Sequence, residues 1–179
     1  MSAAPFGPPL ELVATSRSVA QTLALAAALG RSAAPGLVIA LAGEMGAGKT
    51  TFVRGLAAGL DSPDEVASPT YTLMHRYRGR LALAHFDAWM TARAAAFLES
   101  GGSETFEDGG VSVVEWASEV EDFLPRDRLE VALVPLGEST RELRARALGP
   151  GAGAALTRWR ELVQLSFEPP GDPSVGTPA

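Results

Sequence analysis

Along this chain, runs that are apolar at every position alternate with stretches whose apolar residues recur at helical spacing. Leu37–Ala42 is the clearest of the runs and predicts a strand buried on both faces of a parallel sheet. Beyond a glycine-rich stretch, Phe52, Val53, Leu56 and Leu60 share a helical stripe that leaves out Arg54. Upstream, Leu10–Ala14 reads as a first strand. Thr15 or Ser16 would then cap a helix to about Leu29, with Val19, Leu23, Ala26 and Ala27 turned inward.

Downstream of a polar connection, Tyr71, Leu73, His75 and Tyr77 alternate with Thr72, Met74, Arg76 and Arg78, the period of a strand. Gly79-Arg80 suits a two-residue type II′ turn into a second strand, Leu81–Phe86. Thr91–Leu98 predicts a helix, and Glu99–Gly110 an acidic, glycine-rich surface loop. Val111–Val114 reads as a strand and Ala117–Phe123 as a brief helix. Leu129–Leu136 and Arg141–Leu148 read as two more strands, with a helix competing for the second because Ser139 and Glu142 fit a capping box. A terminal helix is expected over Ala154–Leu165. These elements predict an α/β fold with a mixed, mostly parallel sheet and an antiparallel β-hairpin beside its parallel core.

Composition narrows the class. A length of 179 residues suits a single domain, here residues 10–166, between a flexible arm (1–9) and a disordered tail (167–179). An apolar share of 46% with 20% charged residues is that of a soluble globular chain. The net charge of −6 and pI of about 5.0 speak against a general nucleic-acid-binding surface. The absence of cysteine excludes disulfides, thiolate metal sites and a cysteine nucleophile. Prolines interrupt the N-terminus, which has no basic stretch, and Pro35-Gly36 breaks the apolar region Val19–Gly43, so the expectation is a cytoplasmic protein without a membrane span.

Between the strand at Leu37–Ala42 and the helix that follows lies Gly43-Glu44-Met45-Gly46-Ala47-Gly48-Lys49-Thr50, a full match to G-x-x-x-x-G-K-[ST]. Glycines let successive N–H groups converge on phosphate oxygens, and the next helix points its positive end at them. Lys49 is expected at the β- and γ-phosphates and the Thr50 hydroxyl on Mg²⁺. Lys49 is the only lysine among 15 basic side chains. A chain that uses arginine everywhere else thus keeps a slim point charge where phosphates must fit.

Such a site needs acids to hold Mg²⁺ and orient water, at strand ends beside the loop. Asp87 follows the strand Leu81–Phe86, and Glu115 follows Val111–Val114; each is otherwise an ordinary surface acid at a strand end. Ser68-Pro69-Thr70 stands where nucleotide hydrolases carry a segment that senses the γ-phosphate, and is otherwise a simple turn. His85 by itself reads as a hydrogen-bonded structural histidine. Trp116 reads as core, or as a wall of the site beside Glu115. Arg76, Arg78 and Arg80 could meet phosphate or merely guard a sheet edge. The chain has no asparagine, so the N-K-x-D motif that reads guanine is absent and ATP is the expected nucleotide.

Taken in this order and spacing, GEMGAGKTTFVRGL, SPTYTL, HFD and VEW closely resemble the TsaE (YjeE) family, small bacterial P-loop ATPases, over roughly Leu10 to Leu148. The resemblance implies a P-loop NTPase-type three-layer fold and a role in the threonylcarbamoyl modification of adenosine 37 in tRNAs that read ANN codons. It implies partners as well: a TsaD-type threonylcarbamoyl transferase subunit and its TsaB-type companion. ATP hydrolysis would be slow alone and reset that complex between rounds, with tRNA engaged only indirectly. Carried over residue by residue, the phosphates would lie on Gly43, Glu44, Gly46, Ala47, Gly48, Lys49, Thr50 and Thr51. Thr50 and Glu115 would hold Mg²⁺, with Asp87 as the second acid near the metal or the water. Ser68 and Thr70 would form a switch-like segment, Trp116 would flank Glu115, and adenine would lie near Thr15 to Arg17. Lys49, Thr70, Asp87 and Glu115 are the expected catalytic set.

One departure stands out. The family commonly continues HxD with Leu-Tyr-Arg, whereas this chain has Ala88-Trp89-Met90, so an arginine is missing unless Arg93 replaces it. Two competing functions follow from these features: a small-molecule kinase, although no clustered arginine lid stands out, and a nucleotide-sensing regulator with little turnover.

Overall fold

The computed structural model describes residues 10–167. The arm expected over 1–9 lies outside them, as does all but the first residue of the tail expected over 167–179. In chain order the elements are β1 (Glu11–Ser16), α1 (Val19–Ser32), β2 (Val38–Ala42), α2 (Lys49–Gly59), β3 (Met74–Tyr77) and β4 (Leu83–Asp87). They continue with α3 (Thr91–Glu99), β5 (Val111–Glu115), β6 (Leu129–Pro135), β7 (Arg141–Ala147) and α4 (Pro150–Phe167). Two 3₁₀ segments, Gly102–Glu107 and Ala117–Phe123, flank β5.

The seven strands form one mixed sheet in the order β1-β7-β6-β2-β5-β4-β3. Its four central strands, β6, β2, β5 and β4, run parallel, and β1, β7 and β3 pair antiparallel at the margins. Successive residues of a strand face opposite ways. Ile39, Leu41, Val113 and Val131 therefore pack with α1, α2 and α4, while Val38, Ala40, Phe86 and Val114 pack with Ala94, Leu98, Phe106 and Val120 on the other face. Two cores, one on each side of the sheet, make the three layers. The wholly apolar composition of β2 follows from having both faces covered.

On the first face α1 and α2 meet backbone to backbone. A Cβ on Gly55, in the interior of α2, would lie 2.5 Å from the Leu23 carbonyl oxygen and 2.7 Å from the Ala26 Cβ. Trp159 of α4 closes the layer, its ring edge-on to Phe52 at 6.3 Å and its indole N–H donating to the Leu25 carbonyl at 2.8 Å. The helix that follows the glycine loop is thus pinned from two sides.

Several boundaries differ from the sequence reading. The cap of α1 is Ser18, whose hydroxyl accepts from the Gln21 N–H at 3.1 Å, because β1 continues to Ser16 on its pairing with Arg141. The rotation this imposes buries Thr22, Leu25 and Leu29 and leaves Val19 exposed. Residues 71–73 turn instead of extending, with Leu73 at φ 68° and its N–H donating to the Pro69 carbonyl at 2.6 Å. No two-residue turn closes the hairpin. β3 ends at Tyr77 opposite Leu83, and Gly79 lacks the positive φ that a II′ turn requires. The connection is bound to what precedes it, Arg78 to Asp64 and the Arg80 N–H to the Leu60 carbonyl at 2.8 Å. The acidic loop carries an apolar anchor, Phe106, packed on Phe86 at 5.3 Å. β7 extends, as its alternation of Leu143, Ala145 and Ala147 with arginines requires, and the capping-box helix does not form.

Among the described residues, no helix is long and apolar enough to cross a membrane. The register gathers the functional ends: Leu41 of β2 pairs with Glu115, and Asp87 of β4 also pairs with Glu115. The C-terminal ends of three parallel strands therefore open into one crevice, where α/β sheets bind ligands.

Because the α1–α2 approach leaves no room for a methyl group, Gly55→Ala is expected to destabilise the fold by about 1–3 kcal/mol through overpacking. That loss is net of the roughly 1 kcal/mol gain in helix propensity. Urea denaturation checks it; an unchanged or raised midpoint would contradict the close packing.

Candidate functional site

The glycine loop begins where β2 ends and finishes where α2 starts. Gly46 and Gly48 take positive φ values of 77° and 103°, at which a side chain would be strained. Gly43 is required for space, since its Cβ would lie 2.9 Å from the Leu133 carbonyl oxygen. Gly48 caps α2 without any side-chain hydrogen bond, so the first amides of the helix are left without a side-chain partner.

Lys49 projects from the first position of α2 and is only 5% exposed. Its ammonium donates to the carbonyls of Gly43 at 2.7 Å and Glu44 at 2.9 Å, and lies 3.8 Å from the centre of the Trp116 ring. Burial pushes its pKa down, and the carboxylates of Glu115 and Asp87 oppose that shift. Trp116 reaches the ammonium because its backbone is left-handed, with φ at 57°, directly after β5. The Trp89 ring packs against it at 4.6 Å.

Both strand-end acids are buried. Glu115 Oε1 accepts from the Thr50 hydroxyl at 3.1 Å and lies 2.8 Å from Nε2 of the fully buried His85. Asp87 Oδ2 accepts from the hydroxyls of Thr70 at 2.5 Å and Ser68 at 3.3 Å. Its Oδ1 accepts from the Trp89 N–H at 2.9 Å. The Ser68 and Thr70 hydroxyls are themselves 2.7 Å apart. Turn, acid and aromatic are thus tied together around Asp87.

With His85 left behind them, the other side chains named line a cleft of about 420 Å³ together with Met45, Gly46, Gly48 and Thr51. The side-chain donors that meet there are hydroxyl and carboxylate oxygens, the set a hard cation such as Mg²⁺ takes. Backbone at positive φ beside open helix amides is the arrangement that receives an anion. The residues present therefore fit a magnesium–polyphosphate pair.

Not every expected residue faces the cleft. Gly43 and Glu44 turn their carbonyls to Lys49, and Ala47 is buried. Arg93 stands outside, near Met90 Sδ at 3.4 Å and the Tyr71 carbonyl at 3.5 Å. Arg76 pairs with Asp108 and Arg78 with Asp64, while Arg80 donates to the carbonyls of Gly30, Arg31 and Ala33; none of the three lines the cleft. Arg141 of β7 is what meets the loop on the β1 side. This residue pairs with Ser16 across the sheet, and its Nε donates to the Ala47 carbonyl at 2.9 Å.

Arg141 escaped the sequence reading, and His85 was read there only as a hydrogen-bonded structural histidine. Arg141 has no local signature, since its partner lies 94 positions away. His85 had one: the period of two in β4 and β5 places it on the same face as Asp87 and Glu115.

The chain is similar to known proteins over most of its length. The family described as threonylcarbamoyl adenosine biosynthesis protein TsaE matches residues 16–143. The tRNA threonylcarbamoyladenosine biosynthesis protein TsaE of Treponema pallidum is 39% identical over 128 residues, 72% of this chain and 95% of that protein. Its namesake in Bacillus subtilis is 39% identical over 130 residues, 72% of this chain and 81% of that protein. The crystal structure of Bacillus subtilis YdiB superposes with a TM-score of 0.74 at 31% identity, covering 89% of this chain and 99% of that one. The chain belongs to the TsaE family.

Proposed function

We propose that this protein is a Mg²⁺-dependent ATPase that serves threonylcarbamoylation of tRNA adenosine 37 by acting on a TsaB–TsaD-type complex. Membership of the TsaE family ties the chain to tRNA threonylcarbamoyladenosine biosynthesis. The observation that carries the rest is the meeting of Lys49, Thr50, Asp87 and Glu115 in one cleft under the glycine loop. ATP is preferred because a chain without asparagine has no N-K-x-D motif. The net charge of −6 favours protein partners over direct contact with tRNA.

Each residue has a task in this reading. Lys49 exchanges two loop carbonyls for phosphate oxygens, whose negative charge relieves its burial. Thr50 and Glu115 would hold Mg²⁺, which supplies neutralisation of the phosphate oxygens when bound. Asp87 orients the attacking water. Because it also holds Ser68 and Thr70, movement of that segment reaches the acid directly. The indole of Trp116 covers Lys49 and limits its access to water. A nucleotide-sensing regulator is the second reading, favoured by Met90 standing where the family carries arginine.

Lys49→Ala is expected to keep the fold, because no apolar contact of the core depends on the ammonium, and to lower hydrolysis by roughly 10²–10³-fold. In a reconstituted system it should fail to support tRNA modification; repeated modification cycles with this variant would contradict the proposal. Asp87→Asn is expected to retain ATP binding and lose turnover, as equilibrium binding set beside single-turnover hydrolysis would report. Wild-type turnover in that variant would remove Asp87 from the chemistry.

A further inference from the structure

His85 is fully buried, and neither the phosphate loop nor the water-orienting acid uses it. Its two nitrogens are treated differently. Nε2 lies 2.8 Å from Glu115 Oε1, and Nδ1 is buried without a hydrogen-bond partner. A carboxylate oxygen can only accept, so Nε2 carries the proton, and the unpartnered Nδ1 is least costly as a bare lone pair. His85 thus acts as a single directed donor. A phenylalanine or leucine would fill this place beside Tyr77 and Val113 without an orphaned nitrogen, so packing alone does not account for an imidazole.

The consequence falls on Glu115. Oε1 receives both the His85 and Thr50 bonds, and Oε2 receives none among the described residues. One oxygen is therefore fixed against β4 and α2 while the carboxylate still lines the cleft. The same bond takes up the Thr50 hydroxyl proton, leaving that oxygen's lone pairs free for a cation. We infer that His85 is a positioning residue: its Nε2–H holds Glu115 so that Oε2 and the Thr50 oxygen are presented together to the divalent cation. This rests on the reading of Thr50 and Glu115 as the Mg²⁺ pair. It adds a residue from β4 that reaches the metal only through another side chain.

ATP affinity measured by calorimetry in EDTA and again in saturating Mg²⁺ separates the possibilities. The wild-type protein should bind ATP more tightly with Mg²⁺; if it does not, the metal reading itself fails, whatever His85 does. His85→Phe should lose about 10- to 100-fold of that enhancement and keep the EDTA affinity. His85→Gln, whose amide places a donor near the Nε2 position, should restore most of it, and His85→Asn, with its donor near Nδ1, should not. Full enhancement in His85→Phe overturns the inference. Should the Phe variant fail to fold, the Gln and Asn variants decide, and equal enhancement in those two overturns it as well.

Discussion

Lys49 brings a positive charge to a place where little of it meets water, and much of the structure around it compensates for that burial. Taking an ammonium out of water costs several kcal/mol. An indole face returns about 2 kcal/mol, so Trp116 cannot offset the cost alone. The remainder falls to the Gly43 and Glu44 carbonyls and to the two carboxylates that oppose the downward pKa shift. Each compensating group depends on the fold: the carbonyls on glycine conformations, the acids on parallel strand ends, the indole on left-handed backbone after β5.

The compensation is incomplete in a useful way. Two loop carbonyls are weak partners for an ammonium, and phosphate oxygens are stronger ones. Held against the carbonyls, Lys49 is kept in place yet favours exchange. On the other side of the cleft, Asp87 and Glu115 have donors arranged around them. Preorganisation of this kind avoids reorganising the groups during reaction. It also links the residue 68–70 turn to the acid.

Much of this was legible in sequence because its signals were local. The glycine loop carries its own spacing, and the fully apolar β2 announced a strand covered on both faces. Short apolar runs at Leu81–Phe86 and Val111–Val114 gave the strands whose ends hold Asp87 and Glu115, and alternation gave β7. What escaped were features set by distant partners. Ser18 replaced the expected caps because pairing with β7 prolongs β1 to Ser16. Residues 71–73 alternate like a strand yet turn, since the chain must bring Ser68 and Thr70 onto Asp87. The hairpin connection looks like a tight turn in sequence, but Asp64 and the Leu60 carbonyl hold it open. Arg141 reaches Ala47 across 94 positions and leaves no trace in any short window.

If the cleft does chemistry in the service of a partner, its turnover must respond to that partner. The most direct measurement is steady-state ATP hydrolysis by the purified protein, alone and with TsaB- and TsaD-type partners and threonylcarbamoyl-loaded tRNA. A slow basal rate that rises when the partners and the loaded tRNA are present is the expected result. A rate that stays flat under every combination would contradict hydrolysis as the protein's task and leave a nucleotide sensor.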